Sequence, residues 1–191
     1  MRTGLAHKNT KESNVEVKIN LDGKGIANVD TTVNFLNHII TTLATHSNID
    51  IEVKARSDLK HHLSEDIALC LGEALNNALG DRGDIARFGW AIVPMDASLV
   101  TVALDLVRRP FTICGLSLNR ESIEDMPCED ISHFISSLSQ SMKSTIHVRT
   151  LYGENDHHKV EAAFKAIALS LKMAISIDPL RSGVASTKGV L

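Results

Sequence analysis

Aromatic side chains are scarce in this chain, at 4% of its 191 residues, with one Trp and one Tyr. A surface that stacks nucleobases needs more of them. The formal net charge of -3 gives no general attraction to nucleic acid or to an anionic membrane, and neither is expected as a partner. No uninterrupted apolar run approaches the ~20 residues that cross a bilayer. The start, Met1 to Lys8, lacks the apolar stretch and cleavage pattern of a secretory signal. Cysteines are few and odd in number, Cys70, Cys114 and Cys128, at spacings that match no metal site. A disulfide framework is therefore excluded, and reduced thiols in a cytoplasmic protein are the expectation.

What is present begins with an ordinary globular balance, 43% hydrophobic and 23% charged, enough for one domain or two small fused halves. Nine histidines is a high count for this length, and without aromatics it points to metal or proton chemistry. Several of them recur at a fixed interval. His61-His62 with Glu65 returns as His157-His158 with Glu161, and His38 returns as His133. Ile51-Glu-Val-Lys54 matches Ile146-His-Val-Arg149, and Ile67-Ala-Leu-Cys-Leu71 resembles Ile167-Ala-Leu-Ser-Leu171. Four elements in one order imply a duplication, read here as residues 1–95 and 96–179 followed by a tail, 180–191.

Periodicity gives each half the same layout. Residues 15–21 alternate as a strand, 35–46 read as a helix with Asn34 as N-cap, and 49–55 alternate again. A helix over 62–79 stops at Gly80. The second half follows with strand 98–107, helix 131–142, strand 145–151 and a helix over 156–176 stopped by Asp178-Pro179. Strands 88–94 and 111–115 add to the sheet, while Leu5–Lys8 and the tail carry little pattern. One apolar face per element predicts an α+β fold, a two-layer sandwich of two pseudo-repeated halves with helices packed on mixed β-sheets.

Residues four apart share a helix face, so His61 with Glu65, and His157 with Glu161, can each reach one cation. The second histidine of each pair, His62 or His158, is rotated by about a quarter turn and points elsewhere. With His38 and His133 the set is six His and two Glu, which divides into two sites of three His and one Glu. The expected division gives one member of each His-His pair to each site, so that both halves contribute to both. Such sites suit Mn²⁺, Fe²⁺ or Zn²⁺, and ligand type does not choose among them. A single His-His-x-x-Glu or a lone His38 is more simply a surface or core feature; the duplication favours metal. Lys165 extends the line of His157 and Glu161 where the first half has Leu69. It reads equally as a solvated lysine or as an ammonium with a task beside the metals.

At these residues the chain resembles imidazoleglycerol-phosphate dehydratase. The resemblance runs through Phe35-Leu-Asn-His38, His46, His61-His-Leu-Ser-Glu-Asp66, Arg87-Phe-Gly89, Pro94-Met-Asp96, Arg109-Pro110, Gly153-Glu-Asn-Asp-His-His158, Phe164-Lys-Ala166 and Ser186-Thr-Lys-Gly189. It implies halves of the ribosomal protein S5 domain 2-like type. It implies dehydration of imidazoleglycerol phosphate to imidazole acetol phosphate in histidine biosynthesis, with the substrate ring held as an imidazolate between two Mn²⁺ ions. His38, His61, His62, Glu65, His133, His157, His158 and Glu161 would be the ligands. Glu12 and Lys165 would serve proton transfer, with Glu12 also touching substrate. His46 would orient the substrate, and Arg87, Arg109, Ser186, Thr187 and Lys188 would hold its phosphate. A homo-oligomeric shell of 24 subunits, with sites at subunit contacts, is the implied assembly.

The chain departs from the family pattern at Ser13, Asn37, Leu59-Lys60, Ala97 and Val107-Arg108. No ligand is lost, but acidic partners that orient His ligands are expected to be missing near His38 and His61. Two metals alone would also fit a hydrolase of phosphate esters, and the altered surroundings would fit a metal-storing shell without activity.

Overall fold

The computed structural model describes residues 1–191. Its first half comprises β1 (Thr3–Asn9), β2 (Ser13–Asn20), β3 (Ala27–Asp30), α1 (Asn34–Ser47), β4 (Asp50–Ser57) and α2 (Lys60–Leu79). The second comprises β5 (Phe88–Met95), β6 (Ser98–Asp105), β7 (Phe111–Gly115), a hairpin of β8 (Ser122–Ile123) and β9 (Met126–Pro127), α3 (Cys128–Met142), β10 (Thr145–Tyr152) and α4 (Asp156–Ala174). The sheets have the orders β1-β2-β4-β3 and β5-β6-β10-β7. In each, two antiparallel pairings are followed by a parallel one, and Ile51 and Ile146 occupy matching positions.

Each half is two layers, since α2 lies on β1 and β2 while α4 lies on β5 and β6. The halves then meet helix to helix, α1 on α4 and α2 on α3, leaving both sheets outside. One cluster of 52 buried apolar residues, from Ala6 to Ile175, spans both halves, so neither is a separate domain. The strand-to-helix approach is so close at Gly4 and Gly89 that a β-carbon would overlap the carbonyl oxygens of Ala74 and Ser170. These glycines sit at matching places in β1 and β5, and packing alone requires them.

All four helices point the same way. The His61 and His133 rings lie 5.2 Å apart near the starts of α2 and α3. At their far ends, buried Arg82 donates to the carbonyls of Met142 and Lys143. Burial pulls this guanidinium down to about 10. His38 and His157 are likewise neighbours near the starts of α1 and α4, and Lys172 of α4 reaches Asn48 just past α1.

Several expectations need correction. β5 pairs with β6 in the second sheet, so the second half begins near Phe88 and the division at residue 95 cuts a hairpin. The weakly patterned strand at Leu5–Lys8 is part of β1, Thr3–Asn9, an edge strand with one buried side chain, Ala6. β3 and the β8–β9 hairpin are too short to show a period. Helix α4 ends at Ala174 instead of residue 176, because Ile177 leaves to bridge Ile85. Helix α3 begins at Cys128, ahead of residue 131, and this added turn contains Asp130.

Asn34 is not the N-cap of α1; Val33 occupies that position and makes no side-chain cap. The cap comes from the other half. Asp125, in the hairpin turn, accepts from the amides of Asn34 at 2.6 Å and Phe35 at 2.9 Å. The turn lies in residues 116–127, where the first half has only residues 31–33. Burial alone would raise the Asp125 carboxyl, but the Phe35 and Asn34 amides outweigh it and hold the group below its usual 3.8. Its contribution is therefore complete at neutral pH and is lost as pH falls through the folded-state value, below about 3.8. Asp125→Ala should lower stability by about 1 kcal/mol at pH 7. The gap to the unaltered chain should narrow below that pH. Denaturation midpoints at fixed protein concentration check both statements, and equal midpoints at pH 7 would contradict the cap.

Candidate metal centre and anion cavity

The shared helix direction brings the first histidine of each pair to one end of the molecule. His61 and Glu65 of α2 meet His133 of α3, and His157 and Glu161 of α4 meet His38 of α1. In each group the ligand atoms lie within 4.8 Å of one another. Glu65 Oε1 is 3.3 Å from His133 Nε2. Glu161 Oε2 is 3.5 Å from His157 Nε2 and 3.7 Å from His38 Nε2. Donors ~2.1 Å from a common ion stand roughly 3 Å apart, so small rotamer changes would close either group on a cation. Both halves contribute to both groups, and the pairing follows from α2 packing on α3 and α1 on α4.

Carboxylates fix the rings. His61 Nδ1 is 2.7 Å from Asp130 Oδ1, and this hydrogen bond raises the imidazole pKa above its ordinary value. Asp130 is buried, in the first turn of α3. His157 Nδ1 meets Glu124 Oε1 at 3.3 Å, from the hairpin turn. With Nδ1 engaged as the donor, Nε2 keeps its lone pair toward the group. The expected loss of acidic partners is thus overturned at His61, whose partner Asp130 comes from the opposite half; His157 takes Glu124 from its own half. Sequence reading passed over Asp130 and Glu124 because neither lies near its histidine in the chain. Asn37, another departure, accepts from the Thr31 hydroxyl at 2.6 Å.

The expected sites of three His and one Glu do not form within one chain: His62 and His158 do not join these groups, because the quarter-turn offset turns them away. Each group within one chain therefore has two His and one Glu. His62 Nδ1 pairs with Asp58 at 2.9 Å, which raises its pKa, and lies 3.9 Å from Glu12 Oε2. His158 Nε2 faces Asp96 Oδ2 at 3.4 Å. The Glu12 loop is tied to α2 through Asp66, a buried carboxylate that pairs with Lys8 and accepts from Ser13. Asp156 has a similar part in the second half. It accepts from the amides of Asn119 and Arg120 and pairs with Lys159, both of its ion pair fully buried. The His-His pair of α4 also starts at a true cap, with Asn155 accepting from the His157 and His158 amides.

Lys165 is not a solvated lysine. Its Nζ is 2.7 Å from Glu161 Oε1 and meets Met95 Sδ. Burial would raise the Glu161 carboxyl, but Lys165 draws it below its ordinary value. His46 is shifted down, first by burial and then by the Lys165 charge. Lys165 and His46 therefore belong to the surroundings of the His38, His157 and Glu161 group.

The other candidate residues lie elsewhere. A cavity of about 830 Å³ is lined by Arg87, Arg108, Arg109, Arg181, Ser186, Thr187 and Lys188. Arg87 is bound to Asp105 through two hydrogen bonds and also holds the Ala185 carbonyl, so it secures the tail. Gly183 is pinned to Asp84 from the same side. Arg108 donates to the Gly80 carbonyl and Arg181 pairs with Asp178, which leaves Arg109 and Lys188 the least committed cations. The cavity is at the far ends of the helices, since Arg108 touches the residue after α2 and the Arg87 amide bonds to Ala174, the last of α4. From the helical rise, His61 and Gly80 are roughly 28 Å apart.

Known proteins of one family match the chain in sequence and fold. The family model described as imidazoleglycerol-phosphate dehydratase matches residues 31–171. An imidazoleglycerol-phosphate dehydratase of Dehalococcoides mccartyi is 44% identical over 191 residues, covering 100% of this chain and 97% of the relative. One of Methanopyrus kandleri is 46% identical over 197 residues, with the same coverage. Among solved structures, IGPD of Pyrococcus furiosus superposes with a TM-score of 0.84 at 36% identity, covering 97% of this chain and 99% of that one. The Staphylococcus aureus imidazoleglycerol-phosphate dehydratase also gives 0.84, at 28% identity, covering 92% and 99%. The repeated α+β fold and its match to these relatives make the chain a hydro-lyase of histidine biosynthesis. It belongs to the imidazoleglycerol-phosphate dehydratase family.

Proposed function

We propose that the chain dehydrates imidazoleglycerol phosphate to imidazole acetol phosphate with one divalent ion, Mn²⁺ by resemblance, at each His-His-Glu group. The observation that carries this reading is the mirrored pair of groups, each with its donors drawn from both halves. The donor set fits: two imidazoles and one carboxylate leave coordination positions open. When bound, the two ions supply Lewis acidity and a template that would hold the substrate ring as an imidazolate.

The protein's own residues provide the rest. Asp130 and Glu124 hold His61 and His157 in orientation. Lys165, half-buried beside Glu161, brings an ammonium to this donor group, and we assign it contact with a substrate hydroxyl and a share in proton transfer. His46 flanks it and would orient the substrate. Glu12 offers an exposed carboxylate beside His62 and is the proposed acid/base. Arg109 and Lys188, with Ser186, Thr187 and Arg87, form the proposed phosphate seat.

Distance supports sharing between subunits. The substrate is roughly 9 Å long from its covalent geometry, so it does not reach from the donor groups to the basic cavity of the same chain. On this reading a second copy brings its cavity to the donors. The outer faces of the sheets favour that assembly. The first carries Glu16, Lys18, Glu52 and Lys54 in an ion-paired ladder. The second exposes Phe88, Trp90, Ile92, Phe111 and Ile113. We assign this apolar face to self-association, in a large shell of the 24-subunit kind.

The chain stripped of metal should be inactive, and Mn²⁺ should restore formation of the ketone phosphate without releasing inorganic phosphate. Glu12→Gln should keep metal and assembly while losing ~10²–10⁴-fold in rate. Phosphate release in place of the ketone would favour an ester hydrolase. Sharing is tested by co-expressing two inactive variants, Glu161→Gln and Lys188→Ala. Mixed assemblies should regain part of the activity, whereas none would be regained if each site lay within one chain.

A further inference from the structure

We propose that the two donor groups are unequal, and that His61, Glu65 and His133 bind their divalent ion first and more tightly than His38, His157 and Glu161. The inference rests on the two-metal reading above. Three differences between the groups carry it, and all favour the same group.

The first difference is at the residue three before the helix ligand of α1 or α3. Before His133 it is Asp130, buried, with one oxygen 2.7 Å from His61 Nδ1. Its other oxygen has no hydrogen-bond partner. Before His38 it is Phe35, whose ring packs 5.2 Å from that of His157 and gives no charge to it. Asp130 makes His61 a more basic donor with a fixed ring, which is how outer carboxylates strengthen a His–metal bond.

The second difference is in the acid on the other ring. Glu124, which meets His157, does so at the longer 3.3 Å from a side chain that is 64% exposed, whereas Asp130 is 1% exposed. Water screens the first interaction and hardly reaches the second.

The third difference is at the residue four beyond each glutamate. Glu161 is already paired with Lys165 at 2.7 Å, so an incoming cation must share its carboxylate with an ammonium and sit near that charge. The matched residue after Glu65 is Leu69, which offers no competition. Asp130 is thus a positioning residue for one metal, and Lys165 a brake on the other.

The experiment uses the full chain, stripped by chelation and titrated with Mn²⁺. Calorimetry and the paramagnetic signal of free Mn²⁺ are the readouts. Two steps of one ion per chain are expected, separated by about 10-fold or more. Asp130→Asn should weaken the tighter step by ~10–100-fold and leave the looser one. Lys165→Met should tighten the looser step alone, which provides a test even if the Asp130 variant folds poorly. Two indistinguishable steps, or an Asp130→Asn effect on the looser step, would overturn the inequality while leaving the two-metal reading. One ion or none per chain would overturn that reading itself.

Discussion

Everything at the proposed centre depends on two helix pairs lying parallel across the junction between halves. A ligand group needs side chains from two helices at the same height. An antiparallel pairing would put His133 near the far end of α2, well away from His61. Here α2 with α3, and α1 with α4, start at one end, so each first histidine finds its partner from the opposite half. The alignment is fixed at both ends. Asp125 caps α1 from the second half, and Arg82 ties the end of α2 to the end of α3. Between them the helices share one apolar core. Folding of the two halves onto each other and assembly of the donor groups are therefore the same event.

The duplication also accounts for the division of labour. Two similar halves give two similar donor groups, and small inserted or altered pieces then make them serve different purposes. The hairpin of residues 122–127 adds Glu124 and Asp125, one orienting a ring and the other capping a helix. Lys165 replaces the aliphatic residue of the first half and adds charge beside one group. The basic cavity lies a helix length away from both donor groups.

Much of this was legible in the sequence because the repeat carries it. Long amphipathic helices show their period, and a His-His-x-x-Glu motif that occurs twice points to candidate donors, of which the first His and the Glu of each copy meet in a group. Asp130 and Glu124 were not legible, since only the packing of α3 against α2 and of the hairpin against the start of α4 brings them to His61 and His157. Asn34 looked like a cap by residue type, yet the cap arrived from residue 125. The spacing of His61 and His62 showed that they diverge, but not that His62 would face Glu12 and Asp58 instead of the nearby donors. The tail had no period at all. Its place is set by hydrogen bonds from Arg87 and Asp84, for which no local pattern exists.

The most direct measurement is diffraction from crystals grown with manganese, recorded near the manganese absorption edge. The account predicts two anomalous peaks for each chain, one among His38, His157 and Glu161 and the other among His61, Glu65 and His133. A single peak, or peaks at sites away from these side chains, would contradict it.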